Sequence, residues 1–447
     1  MEKVGTPWSS GELAVHPNKK YLVNGDKPFF WLGDTAWTLF HRLSMKEARS
    51  YLINRKTKGY NVILSILLNH SEDPKQSNQR FDSGNLSETI GPENKEYWSH
   101  VKEIVSLAED MGMYVALLPA WGRAVNAEMV SRTDVSEYTE FLRNSFIDRK
   151  NIIWLLGGDI RGDLHYELWN DFGMKLKSVM PRNLIGYHPF GRTSSTYWFA
   201  DCEWLDFHMF QSGHRRDDQK ALMSWDETAS EEPWFGEDNW KYVLQDHQSL
   251  NLKPTIDGEP SYEQIPQGLH DPSEPYWQAR HVRRYAYWSV LSGAFGHTYG
   301  HNAIFQFHGK GFEGRFGVKQ SWKEALHASG GSQMHHLKDL MMEIDFVHCT
   351  PMQHILLTKE TGDERVAAFG NEKNIVIYTY KGSTFSVTFP SDFTRVYQAY
   401  WIDPVNGTRS YIDEFRLMES MPFTPPAKDC DSSDWILYLK QKDSLFT

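Results

Sequence analysis

Between residue 28 and about residue 345, eight short apolar runs rich in β-formers alternate with amphipathic helical stretches, and this alternation constrains the fold most. Parallel strands need crossovers long enough to hold a helix, so strand–helix repetition predicts a parallel sheet. The runs are PFFWLGD (28–34), YNVILSILL (60–68), MYVALLP (113–119), NIIWLLGGD (151–159), LIGYHP (184–189), WLDFHMFQ (204–211), PTIDGEP (254–260) and GAFGHTYGH (293–301). Eight units over roughly 300 residues fit a closed (β/α)8 TIM barrel, an α/β fold whose usual size is about 250 residues before insertions.

The intervening helices carry start and stop signals. Ser44 followed by Glu47 reads as a capping box, and Gly59 stands where a helix ends in the left-handed conformation. Tyr97, Val101, Ile104, Val105 and Ala108 recur at the helical period between residues 94 and 112. Residues 276–291 predict another helix ahead of the last strand.

After about residue 345 the period falls to two. NIVIYTY (374–380), FSVTFP (385–390), RVYQAYWID (395–403) and WILYLK (435–440), with a turn at Asn406-Gly407, predict an antiparallel β-sandwich. The expected domains are a barrel over 1–345 and a sandwich over 346–447.

Composition narrows the function classes. A net charge of -11 with scattered basic residues gives no surface for a phosphate backbone, so no nucleic-acid partner is expected. No apolar run approaches the roughly 18 residues of a membrane span. The three cysteines, Cys202, Cys349 and Cys430, are too widely spaced for a CxxC metal site. MEKVGTPWSS lacks the apolar core of a signal peptide, which predicts a cytoplasmic protein, or a periplasmic or secreted one if a leader preceded this start. Aromatic residues reach 14%, with 17 Trp and 21 Tyr. Such rings stack on sugar faces, and they also fill barrel cores.

A (β/α)8 barrel places its chemistry at the carboxyl ends of its strands. The polar and aromatic residues there are Asp34 and Trp37, Asn69 and His70, Trp121, Asp159, His188, Gln211 and His214, Glu259, and His297, Tyr299 and His301. Asp159 and Glu259 each end a nearly all-apolar strand, on strands four and seven, which face each other across the mouth. Glycosidic cleavage needs one protonated carboxyl for the leaving oxygen and one ionised carboxylate to attack the sugar or a water. The pattern therefore points to Asp159 as general acid/base and Glu259 as nucleophile, with Asp34, Trp37, Asn69, Trp121, His188, Gln211, His297 and Tyr299 contacting substrate.

Blander readings exist for each residue. Asp159 could cap the next helix, Glu259 could pair with a barrel arginine, and Asp34 could cap a turn. His335-His336 reads as helix surface, and Asp201, Glu203 and Asp206 frame a run rather than end one. Neither an HxH after strand one nor an HExxH helix occurs, so no metal and no cofactor are expected.

FFWLGDTAW (29–37), LFHRLS (39–44), KGYNVI (58–63), IIWLLGGD (152–159), DGEPSYE (257–263), YWSVLSGAFGHTYGHN (287–302) and YWIDPVNG (400–407), in this order, resemble the apiosidase-like glycoside hydrolases of glycoside hydrolase family 140. The resemblance implies a catalytic barrel followed by a sandwich labelled as collagen-binding, and release of apiose from the pectin rhamnogalacturonan II or from plant glycosides. It also implies a catalytic acid on the GGD motif and a nucleophile on the DGEP motif, which fall on Asp159 and Glu259. Nothing in the sandwich sequence suggests collagen. The alternatives are a glycosidase for another sugar, such as an arabinofuranoside or β-glucoside, and a carbohydrate-binding protein without catalysis.

Overall fold

In the computed structural model, which describes residues 5–68, 94–219, 234–357, 361–389, 395–416, 420–427 and 433–442, each of the eight apolar runs contains a strand. These are β1 (Trp31–Thr35), β2 (Val62–Leu68), β3 (Tyr114–Ala120), β4 (Ile152–Gly157), β5 (Ile185–His188), β6 (His208–Gln211), β7 (Thr255–Asp257) and β8 (Gly296–Tyr299). Every residue of β2 and β3 is buried, the signature of parallel strands covered on both faces.

Six of the strands hydrogen-bond as one curled parallel sheet in the order β8-β1-β2-β3-β4-β5, and β6 and β7 form a separate parallel pair. Single backbone bonds join that pair to both edges of the larger sheet. Asp206 N donates to Ile185 O at 2.8 Å on the β5 side, and Phe295 N donates to Thr255 O at 3.1 Å on the β8 side. Asp206 also accepts from Ile185 N and from Lys177, so this acid is structural.

The first run needs a correction at its start. Pro28 and Phe29 belong to an antiparallel ribbon of Leu13–Val15, Leu22–Asn24 and Lys27–Phe29, and the parallel strand starts only at Trp31. Gly25, at φ 60°, makes the tight turn that pairs Asn24 with Lys27, and a Cβ there would lie 1.9 Å from Ser10 O.

Helix α1 (Met45–Thr57) starts on the Ser44–Glu47 capping box and gives way to Gly59 at φ 83°. Helix α2 (Lys95–Asp110) buries Tyr97, Val101, Ile104, Val105 and Ala108. Helix α3 (Val135–Phe146) precedes β4, α4 (Tyr166–Val179) follows it, and α5 (Asn239–Asp246) precedes β7. Helix α6 (Ala279–Leu291) leads into β8, and α7 (Ser329–Glu343) follows it. Along α7, His335 and His336 are half-buried rather than surface-exposed. No helix among the described residues is long and apolar enough to cross a membrane.

The C-terminal part is rich in antiparallel sheet. Strands β9 (Thr350–Pro351), β10 (Val366–Gly370), β11 (Asn374–Thr379), β12 (Val396–Ile402), β13 (Arg409–Arg416) and β14 (Trp435–Gln441) pair in the order β9-β10-β11-β14-β12-β13. A ribbon of Phe385–Val387 and Met421–Phe423 accompanies them. The alternation of β11 explains its burial. Ile375 and Ile377 join the inner core of this part, whereas Val376 and Tyr378 join the core shared with the parallel sheets. There Tyr378 stacks on Tyr287 of α6 at 4.5 Å between ring centres, and Arg283 of α6 grips Asp434 through two bonds of 2.9 Å. Strand β13 escaped the sequence reading because it is mostly exposed and lacks an apolar alternation.

Candidate active site

The chain leaves β4 through three consecutive residues with positive φ: Gly157 at 84°, Gly158 at 105° and Asp159 at 48°. Only glycine tolerates the first two positions, for steric as well as conformational reasons. A Cβ on Gly157 would lie 2.3 Å from His188 O, and one on Gly158 would lie 2.4 Å from the Trp121 ring. Asp159 does not cap the next helix, since α4 begins seven residues later behind His165. The left-handed turn instead delivers its carboxylate to the cavity at the ends of the parallel strands.

Glu259 follows β7 across Gly258, whose missing Cβ would fall 2.2 Å from Met209 Sδ. Among the described residues its carboxylate meets no arginine. His214 Nε2 lies 3.1 Å from Oε1, and His188 Nε2 lies 3.3 Å from Oε2. The tautomer of His214 follows from its other contact: Nδ1 accepts from Tyr262 N at 3.3 Å, so the proton sits on Nε2 and is donated to Glu259. His188 is fully buried beneath the rings of Trp37 and Trp121, 5.4 and 5.5 Å away. Trp37 is held by a bond from Nε1 to Tyr262 Oη of 3.1 Å.

One oxygen of Asp159, one of Glu259 and a ring nitrogen of His188 lie within 4.8 Å of one another. Their environments drive the two acids apart. Asp159 opens to the cavity but is walled by protein, and this burial, reinforced by the Glu259 charge, raises it to about 6 despite His188, a Gln211 hydrogen bond and His214. Burial also pushes Glu259 up, yet the polar contacts and charges of His188 and His214 outweigh it and bring Glu259 to about 2. One group thus stays protonated into weakly acidic solution while its neighbour is ionised.

The cavity encloses about 410 Å³. Trp37, Trp121 and Gln211 line it with the two acids. His188 reaches Glu259 but not the cavity wall. Asn69 and His70 lie outside the described residues.

Three expected substrate contacts are corrected by strand parity. Asp34, His297 and Tyr299 are fully buried and none lines the cavity. Asp34 and Tyr299 face each other in register on β1 and β8, and His297 is two residues before Tyr299, so all three share one face of the sheet. That face looks toward the helices. Asp34 accepts from Arg55 Nε and Tyr51 Oη of α1, both at 2.6 Å, while Tyr299 Oη donates to Glu263 at 2.6 Å.

The sequence reading missed Tyr262 and a set of cavity arginines: Arg42, Arg123, Arg192, Arg215 and Arg315. Burial and the like charge of Arg315 lower Arg42 to about 10, and burial with Arg192 does the same to Arg215. Their one sequence signal was position, in the segments that follow parallel strands. His214 had that signal too, but nothing local distinguished it from the other histidines.

Comparison with known proteins returns two family models. Residues 16–348 match "Apiosidase-like, catalytic domain", and residues 350–440 match "Putative collagen-binding domain of a collagenase". Among solved structures, one described as a glycoside hydrolase is 37% identical, with a TM-score of 0.88 and 98% of each chain covered. A glycoside hydrolase family 5 crystal structure from Bacteroides vulgatus ATCC 8482 is 35% identical, with a TM-score of 0.89, covering 99% of this chain and 96% of that one. No curated protein matches the chain.

Proposed function

Because the chain belongs to the apiosidase-like family of glycoside hydrolases, we propose that it hydrolyses an apiosyl linkage, with Asp159 as general acid/base and Glu259 as nucleophile. The carrying observation is the pair itself, two carboxyl groups with oxygens within 4.8 Å and with acidities displaced in opposite directions. Asp159, protonated, hands its proton to the leaving oxygen as Glu259 attacks the anomeric carbon. It then takes a proton from the water that frees the sugar. Retaining enzymes hold their carboxyls about 5–5.5 Å apart and inverting ones about 6.5–9.5 Å, so the short separation supports retention.

Trp37 and Trp121 supply stacking faces, and Gln211 orients Asp159. The cavity arginines favour an acidic carbohydrate, such as a uronic-acid-bearing pectin fragment, over a neutral plant glycoside. The scaffold in this reading is a closed eight-stranded barrel over residues 1–345, its seams being the two backbone bonds that flank β6 and β7. Residues 346–447 form a second domain that packs on α6 and α7 as a structural partner rather than as a collagen binder.

Incubation with apiosylated pectin fragments and with plant apiosides, followed by chromatography of the released sugars, tests this function. Apiose is expected in excess from the acidic substrates. Release of arabinose or glucose without apiose would replace the substrate, and no release from any glycoside would leave a binding protein.

A further inference from the structure

His188 Nε2 and Glu259 Oε2 stand 3.3 Å apart, yet they are misaligned for a hydrogen bond, and both atoms are buried without another partner. His188 is itself fully buried. A separation near 3.3 Å is what two ligands of one tetrahedral zinc ion require, since bonds of about 2.0–2.1 Å span an edge of about 3.3 Å. The third vertex is at hand. An Asp159 oxygen lies within 4.8 Å of a ring nitrogen of His188 and of a Glu259 oxygen, and that side chain opens to the cavity, so rotation can bring it in.

We infer that Asp159, His188 and Glu259 form a binding site for a borderline divalent transition metal, with zinc as its representative, whose occupation blocks the catalytic pair. The donor set of one imidazole nitrogen and two carboxylate oxygens suits such an ion better than magnesium, which takes oxygen ligands and keeps its waters. His214 is no ligand in this arrangement. Its Nε2 proton is committed to Oε1 of Glu259, which leaves Oε2 turned to the metal, an outer support of the kind that fixes ligating carboxylates. Three protein ligands leave a fourth position to cavity water. An ion held there occupies the space of the scissile bond, takes the attacking lone pair of Glu259 and displaces the proton of Asp159, so it inhibits rather than assists.

Binding depends on the four side chains and not on which sugar is cleaved, so its test stands apart from the substrate assay. The full chain is titrated calorimetrically with zinc chloride and, separately, with magnesium chloride, and melted with and without zinc. Saturable one-to-one binding of zinc, a raised Tm and no magnesium heat are expected. His188→Ala and Glu259→Gln should each weaken zinc binding by about tenfold or more, and circular dichroism shows which of the two variants is folded and can be read. The absence of saturable zinc binding to the parent chain would overturn the inference. So would wild-type affinity in a folded variant, which would put the ion elsewhere, for instance on His335 and His336.

Discussion

His214 donates its Nε2 proton to Oε1 of Glu259 across 3.1 Å, and the backbone N–H of Tyr262, three residues beyond Glu259, fixes which nitrogen carries that proton. The loop after β7 therefore supplies both the carboxylate and the group that orients the imidazole holding it. A His214→Gln side chain can donate to Glu259 but cannot reproduce both contacts, whereas His214→Ala removes them. Turnover should fall in the order parent, Gln, Ala, with the loss in kcat rather than KM, because the defect lies in the attacking group. Equal loss in both variants would argue that the imidazole serves only as packing.

Catalysis should follow the two acidities. It needs Asp159 protonated and Glu259 ionised, so kcat/KM should be highest between about 2 and about 6 and decline as pH rises through about 6. A rate that climbs steadily above neutral pH would contradict the assignment of Asp159 as the acid.

Asp159→Asn and Glu259→Gln should each reduce turnover by about 10²-fold or more without unfolding the chain. Their effects on stability should differ in sign. Asp159 has a folded pKa above its unfolded value of 3.8, so its favourable contribution exists below 3.8 and is lost as pH rises through about 6. Removing that charge should raise Tm at neutral pH. Glu259 is depressed, so its contribution is present above 4.5 and is lost only as pH falls towards about 2. Glu259→Gln should lower Tm at neutral pH, and scanning calorimetry of both variants checks the contrast.

Gly158→Ala adds one carbon where the Trp121 ring stands 2.4 Å away and where φ is 105°. A cost of about 1–3 kcal/mol is expected from the backbone alone, with the indole displaced as well. Both Tm and activity should drop, and unchanged values for both would refute the close packing of the GGD turn.

Breaking the Asp34–Arg55 pair tests the corrected role of Asp34. Both side chains are buried and 2.6 Å apart, so Asp34→Ala leaves an unpaired buried cation, at a cost of about 3–5 kcal/mol. Soluble yield and denaturant midpoint should fall steeply, while the KM of the folded fraction stays near that of the parent. A selective rise in KM would return Asp34 to the substrate site.

The order of elements was legible in the primary structure because burial leaves a direct record there. A parallel strand covered on both sides reads as an apolar run, as in VILSILL and YVALLPA, and VYQAYWI of the C-terminal part reads as alternation. The two acids were legible too, each standing past the end of such a run behind glycines whose missing Cβ lets another side chain approach. Asp34 carries the same local pattern, WLGD, and was misread because it lies inside β1, where one step of parity decides between the two faces of the sheet, and Asp34 falls on the one toward the helices.

The amino-acid sequence by itself determined which segments become strands and helices and which carboxyls end them, since those outcomes depend on periodicity and on neighbours in the chain. Only the tertiary structure decided that two histidines serve Glu259, that Asp34 belongs to Arg55, and that arginines from separate segments meet in one cavity. Those are distances between residues far apart in the chain, and electrostatic work depends on separation and burial in space, neither of which is written in local order.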